Sequence, residues 1–209
     1  RTVIELDPNC IEAYTSLGAI LVESRQLIEA EKINRKAIEL NPKNIYPYCN
    51  LAKILIENGK IEEAEEISYK AYKINPNEPI NNYNIGLILN FKGDLKQAEK
   101  YTRKALDTNP NFSMAHGHLG NILQKLGKTQ DAFNSYIEST KNASSTSESY
   151  VFITRFIRDV DCSKLDIIEL KKIINILLDR EDVPHRELTN VIGYLYRNDI
   201  SEYIKEFNI

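Results

Sequence analysis

The residues of this sequence that could do chemistry are three histidines, three cysteines and a large number of carboxylates. His116 and His118 are two positions apart, so on a helix their imidazoles point to different sides and do not converge on one ligand. Cys10, Cys49 and Cys162 have none of the spacings of metal-binding cysteines. The sequence contains no zinc-protease motif, phosphate loop or dinucleotide-binding motif. We therefore expect no catalysis, no metal and no cofactor, and reduced cysteines that pack as small apolar side chains.

Composition narrows the class of partner and the compartment. The chain has 209 residues, 42% of them hydrophobic, and a formal net charge of −3. It can therefore bury a core, and it lacks the basic balance of nucleic-acid-binding proteins. Its apolar runs are shorter than the roughly 20 residues that cross a bilayer. The chain begins at Arg1 without a visible signal peptide. These features predict a cytoplasmic protein that binds neither nucleic acid nor membrane, or a piece cut from a longer protein.

A 34-residue period organises the first two thirds of the chain. Four prolines mark it, and each follows an Asp or an Asn: Pro8, Pro42, Pro76 and Pro110. Small residues repeat with the same period in three further series: Ala30, Ala64, Ala98 and Ala132; Ala37, Ala71 and Ala105; Gly18, Ala52, Gly86 and Gly120. Such periodicity is the signature of a repeat architecture.

Each unit predicts two amphipathic helices joined by a tight turn. In the second unit, Tyr48, Leu51 and Leu55 form one apolar stripe, and Gly59 follows at the helix end, where it is free to adopt a positive φ. A second amphipathic helix then ends before the proline. The small residues are expected where the two helices approach closely. The first unit has Arg25 in place of the turn glycine, which costs about 1 kcal/mol if that backbone is left-handed.

This pattern resembles the tetratricopeptide repeat. The resemblance predicts an all-α fold, a right-handed α-solenoid of helix-turn-helix repeats. The predicted repeats cover residues 11–44, 45–78, 79–112 and 113–146, and residues 1–10 match the tail of a preceding repeat. The fourth repeat departs from the pattern, because Ser139 replaces its second alanine and Ser144 its proline.

The last third of the chain is less regular. A polar segment at 143–148 predicts a loop, and Tyr150, Ile153 and Ile157 then occupy the apolar positions of a further first helix. A helix capped by Ser163 is predicted from Leu165 to about Leu178. A third is predicted from Pro184 to Tyr196, and a short fourth from Ile200 to Phe207. We interpret residues 147–209 as a degenerate fifth pair with C-terminal capping helices, which cover the exposed edge of the array. A separate small helical domain is the alternative.

The resemblance also implies a concave groove lined by the first helix of each repeat. One position in this groove carries polar residues in all four repeats: Ser16, Asn50, Asn84 and His118. An asparagine ladder of this kind resembles that of O-linked N-acetylglucosamine transferases and kinesin light chains, in which it holds the main chain of an extended peptide. Asn50 and Asn84 match it, and the alternative is that they are ordinary surface residues. The remaining candidate peptide-binding residues are Lys53, Tyr83, Leu87, His118 and Asn121, with Phe91 beside them. The apolar ones could instead pack against neighbouring helices.

The function predicted is a non-enzymatic scaffold that binds an extended peptide or a partner helix in the groove. Lys53 and Lys125 are not accompanied by matching arginines, which disfavours the clamp that holds chaperone C-termini. The alternative is the substrate-recruiting region of a larger glycosyl- or sulfotransferase whose catalytic domain lies outside this chain. A further hypothesis is self-association through the exposed N-terminal repeat edge.

Overall fold

The computed structural model of the protein describes residues 2–141 and 147–206. All the regular elements in these residues are helices. They form two compact units, Arg1–Pro110 and Asn111–Ile209. No helix in the described part is long and apolar enough to cross a membrane.

The first unit is a series of antiparallel helical hairpins. α2 pairs with α3, α4 with α5, and α6 with α7, and successive first helices α2, α4 and α6 also contact each other. The helices are α1 (Thr2–Leu6), α2 (Ile11–Glu23), α3 (Leu27–Leu40), α4 (Ile45–Glu57), α5 (Ile61–Ile74), α6 (Pro79–Phe91) and α7 (Leu95–Thr108).

The second unit contains one further hairpin and three more helices. Two short 3₁₀ helices, Cys162–Lys164 and His185–Leu188, lie before the last two α-helices. The helices are α8 (Ser113–Lys125), α9 (Thr129–Lys141), α10 (Ser147–Asp159), α11 (Ile167–Leu178) and α12 (Thr189–Glu206).

The periodic small residues lie where the helices of a hairpin meet, as predicted. Every alanine of the two alanine series is fully buried. A Cβ added to Gly18 would come within 2.7 Å of the Asn34 side chain, and one added to Gly120 within 2.8 Å of the Tyr136 ring. The identity of each small residue is therefore set by the side chain across the hairpin.

The Asp or Asn before each repeat proline ends the preceding helix and starts the next turn. Asn41 ends α3 and donates its backbone N–H to the carbonyl of Ala37 at 3.0 Å. Its side-chain oxygen accepts the N–H of Lys43 at 3.1 Å. Asn75 makes the equivalent bond to the N–H of Asn77 at 3.0 Å. These Asx turns explain why Asp or Asn stands before the proline.

The turn inside each hairpin requires a left-handed residue, and this confirms the prediction for Arg25. Gly59, Gly93 and Gly127 have φ values of 72°, 83° and 73°, and Arg25 has a φ of 60°. Their N–H groups and those of the next residues satisfy the last carbonyls of the first helices, as in the bond from Gln26 N to Leu21 O at 2.9 Å.

Replacing Arg25 by glycine is therefore expected to stabilise the protein by roughly 0.5–1 kcal/mol, because glycine removes the steric cost of the left-handed backbone. The substitution also removes the ion pair between Arg25 and Glu57, which is 3.3 Å long. This pair contributes little to stability, because the Arg25 side chain is 75% exposed. Urea unfolding followed by circular dichroism measures the change. Gly59→Arg is the reciprocal control and should lower stability by a similar amount, since nothing lies within 4 Å of its added Cβ. A loss of stability in Arg25→Gly would contradict the prediction.

The structure corrects two predictions in the second unit. α11 is capped by Asp166, whose carboxylate accepts the N–H groups of Ile168 and Glu169 at 2.9 and 3.0 Å, and Ser163 lies in the preceding 3₁₀ helix. The helix therefore begins after Asp166, because its carboxylate satisfies two N–H groups of the first turn, and it does not begin after Ser163.

The other correction concerns the end of the chain. The predicted break between the helices at 184–196 and 200–207 is absent, because no proline separates them: residues 189–206 form one continuous helix, α12, and residues 185–188 before it form a 3₁₀ helix. Phe207 lies outside the described residues. The predicted loop at 143–148 lies largely outside them as well, and Ser147 already begins α10.

Candidate functional site

The candidate site in the first unit lies on two neighbouring first helices. Asn50 and Lys53 belong to α4, and Tyr83, Asn84 and Leu87 belong to α6. Spacings of three and four residues place the members of each helix on one side. Since α4 and α6 contact each other, the structure brings these five residues to the same part of the unit.

The two asparagines of the predicted ladder use their amides within the protein. Asn84 is 1% exposed, and its Nδ2 donates to the backbone carbonyl of Cys49 at 2.9 Å, which ties α6 to α4. Asn50 is half-buried and its Nδ2 donates to Oδ1 of Asn34 on α3 at 3.3 Å. Asn50 and Asn84 therefore occupy the same repeat position but make different hydrogen bonds. In this structure the Asn84 amide is not presented to solvent.

Apolar side chains form the accessible part of this surface. Tyr83 and Leu87 are half-buried, and Phe91 at the end of α6 is 73% exposed. Tyr46 on α4 and Ile80 on α6 are 55% and 41% exposed, each one helical turn before the ladder asparagine of its helix. We call Tyr46, Lys53, Ile80, Tyr83, Leu87 and Phe91 the first-helix patch.

Sequence reasoning missed Tyr46 and Ile80. The signal was present in the 34-residue period, which places Tyr46, Ile80 and Met114 at one position, all of them exposed. These residues lie in the first turn of their helices, two positions before the buried series of Tyr14 and Tyr48. Tyr46, Ile80 and Met114 therefore form a second, exposed stripe beside the buried one and are not part of the core.

Charge in the patch comes from Lys53. It is half-buried, and it makes no ion pair with any residue of the described chain. The buried neighbour Cys49 is chemically inert, because burial raises the pKa of its thiol to about 12 and keeps it protonated at neutral pH. The patch thus offers apolar contacts and one cation.

The remaining two predicted residues belong to the second unit. His118 and Asn121 lie one turn apart on α8, where His118 is buried and Asn121 is exposed. His116 is half-buried at the large apolar position of the repeat. No group of three histidine, cysteine or acidic side chains that could hold a metal ion occurs in the residues described.

Comparison with known families identifies the repeat. Two tetratricopeptide repeat family models match the sequence, one at residues 11–44 and 81–112 and the other at 34–66. The chain contains tetratricopeptide repeats at these residues. No curated protein matches the sequence significantly.

Solved structures of tetratricopeptide repeat proteins share the fold. YrrB, described as having an unusual peptide-binding site, is 19% identical with a TM-score of 0.57, over 89% of this chain and 96% of that one. PilF of Pseudomonas aeruginosa is also 19% identical, with a TM-score of 0.64 over 95% and 85% of the two chains. The O-GlcNAc transferase of Thermobaculum terrenum is 20% identical with a TM-score of 0.58, over 63% of this chain and 26% of that one. The predicted all-α solenoid of tetratricopeptide hairpins is confirmed.

Proposed function

We propose that this tetratricopeptide repeat protein is a non-enzymatic interaction scaffold that binds a protein or peptide on the first-helix patch. The observation that carries the proposal is the exposure of Tyr46, Ile80 and Phe91 around the half-buried Tyr83 and Leu87. Large apolar side chains grouped on a surface and bordered by a charged residue are typical of a protein-binding site.

The geometry favours contacts with the partner's side chains over a grip on its main chain. The Asn84 amide would have to leave the Cys49 carbonyl to bind a peptide group, and this exchange gains little because one hydrogen bond replaces another. Asn50 is more accessible, and it remains a candidate for one main-chain bond. Main-chain binding of an extended peptide by Asn50 and Asn84 remains a hypothesis, and so does peptide binding by His118 and Asn121 of the second unit. A partner helix would instead use the apolar side chains of α6.

Truncating the exposed aromatic residues should test this. In a pull-down from the source cell's lysate with mass spectrometry, we expect Tyr46→Ala/Phe91→Ala to lose a specific partner by about tenfold, since aromatic anchors carry much of the energy of an interface. Because both side chains are more than half exposed, the fold should be retained. Tyr196→Ala, which removes a 65% exposed aromatic side chain from α12, is the matched control.

An Asn50→Ala variant separates the two modes of binding. Loss of the partner in Asn50→Ala together with the aromatic variant indicates that an extended peptide is held through its main chain as well. Retention of the partner by every variant would place the binding surface elsewhere and contradict the proposal.

A second candidate function is the recruitment of substrates for a larger transferase. The observation that favours it is the likeness to the O-GlcNAc transferase structure, of which this chain matches a minor part. A catalytic domain in the same reading frame would support it.

Self-association through the edge formed by α2 and α3 also remains a hypothesis. Ile20 on that edge is 59% exposed, whereas the equivalent Ile54 and Ile88 are buried by the preceding hairpins.

A further inference from the structure

A cavity of about 190 Å³ lies inside the first unit between α5, α6 and α7. Its walls are mainly aromatic and aliphatic: Tyr69 and Tyr72 come from α5, Ile88 and Leu89 from α6, and Tyr101 from α7. The α6 residues belong to a different side of that helix from Tyr83 and Leu87. The cavity is therefore distinct from the first-helix patch and does not depend on its function.

Ser68 is a short side chain in the lining of this cavity. Ser68 lines the cavity and occupies the repeat position of Asn34 and Thr102, both of which are larger. Its hydroxyl oxygen is buried and has no hydrogen-bond partner. Tyr69 and Tyr72 likewise stand where the first repeat has Arg35 and Ile38. The second repeat thus combines a short side chain and two tyrosines at positions where the first repeat has Asn34, Arg35 and Ile38.

Three lysines contact side chains that line the cavity. Lys73 lies over the Tyr69 ring with its Nζ 4.6 Å from the centroid, and Lys104 lies 4.8 Å from the Tyr72 centroid and 3.1 Å from its hydroxyl oxygen. Lys92 pairs at 2.8 Å with Glu65, which also lines the cavity. Lys73 and Lys104 form no ion pair within the described chain. The cavity therefore has mainly apolar walls, and these two lysines lie against two of its tyrosine rings.

The volume restricts what can enter. Sites for cofactors and drug-sized ligands span roughly 300–1,000 Å³, whereas an apolar cavity of about 150 Å³ is sufficient to bind benzene. A cavity of 190 Å³ accommodates one six-membered ring. Lys73 and Lys104 beside the tyrosine walls favour an anionic group close to that ring. We propose that this cavity binds a single aromatic side chain of a partner peptide, with an acidic residue beside it in the peptide sequence.

Short peptides test the proposal with the full chain. The probe is acetyl-GDFDG-amide, titrated while the NMR signals of the Ile88 and Leu89 methyl groups and the tyrosine rings are followed. We expect shifts concentrated on the cavity residues. Binding should be about tenfold tighter than that of acetyl-GDADG-amide, because the ring is lost, and about fivefold tighter than that of acetyl-GKFKG-amide, because the charge is reversed.

Variants at the cavity identify the site. Tyr69→Ala removes one wall of the cavity, and Lys73→Gln/Lys104→Gln removes the two lysines that form no ion pair. Each variant should lower the affinity for the probe peptide about fivefold. Tyr69 is 59% exposed, so its truncation should leave the fold intact, which circular dichroism verifies. The matched controls are Tyr196→Ala, at a 65% exposed tyrosine of α12, and Lys70→Gln, at an exposed lysine of α5, and neither should change the affinity.

Three results would overturn the proposal. One is the absence of any shift at Ile88 or Leu89 up to the solubility limit of the probe. Another is equal binding of the phenylalanine and alanine peptides, which would mean that the ring does not enter the cavity. The third is binding of free phenylacetate as tightly as the peptide, which would identify a small aromatic acid as the ligand.

Discussion

Replacing Phe133 by glutamate is expected to unfold the second unit, although glutamate is the residue at this position in the three preceding repeats. Glu31, Glu65 and Glu99 pair with basic residues at 2.7, 2.8 and 2.9 Å on the surface of their second helices. Phe133 is instead fully buried, with its ring stacked on Phe156 of α10 at a centroid distance of 6.2 Å.

The expected cost of this change is large for two reasons. Removing a buried phenylalanine costs roughly 3–5 kcal/mol through lost burial and the cavity that remains. A carboxylate at the same place would be buried without a cation, which adds several kcal/mol unless the group takes up a proton. Together these terms are comparable to the whole stability of a domain, typically about 5–15 kcal/mol.

Urea unfolding and native-state hydrogen exchange measure the effect. The amides of α8, α9 and α10 should lose protection in Phe133→Glu, whereas those of α2–α5 retain it. Phe133→Leu is the conservative control, with an expected cost of about 1 kcal/mol, and Glu65→Gln should change stability by less than about 0.5 kcal/mol. A cost below about 1 kcal/mol in Phe133→Glu would show that α10 does not cover α9 in solution.

Gly86→Ala is expected to destabilise the first unit by about 1–2 kcal/mol, although alanine is the better helix former. An added Cβ would lie 2.4 Å from Oγ1 of Thr102, which is held by donating a hydrogen bond to the carbonyl of Ala98 at 2.8 Å. Relieving this overlap requires α6 and α7 to separate, at a typical cost of about 1–3 kcal/mol. The gain in helix propensity, up to about 1 kcal/mol, offsets part of it.

A compensating change distinguishes this overlap from a general effect of the substitution. Thr102→Ala removes the atom in conflict, so the Gly86→Ala/Thr102→Ala protein should be about as stable as Thr102→Ala alone, as measured by urea unfolding. Gly193 in α12 provides a control in which the stability should change in the opposite direction. This glycine lies within a helix, and nothing lies within 4 Å of a Cβ added to it. Gly193→Ala should stabilise the protein by about 0.5–1 kcal/mol. Failure of the double variant to recover stability would contradict the contact with Thr102.

The amino-acid sequence by itself determined the repeat. The 34-residue period predicted the hairpins, their buried alanines and the strained turn at Arg25, because these features depend on local backbone geometry and on contacts that recur within every unit. The helices after Asp159 have no period to guide them. The start of α11, for example, depended on which of two nearby residues caps the helix, and the cap is Asp166 and not Ser163.

Only the tertiary structure decided what each repeat position does. Asn50 and Asn84 occupy the same position, yet Asn50 binds Asn34 and Asn84 binds the Cys49 carbonyl. The residue that stands in Asn34's place for Asn84 is Ser68, whose short side chain offers no equivalent amide oxygen. A period fixes where the backbone goes, whereas the bonds and cavities of a site depend on the sizes of side chains that meet across helices. The cavity beside Ser68 follows from those sizes.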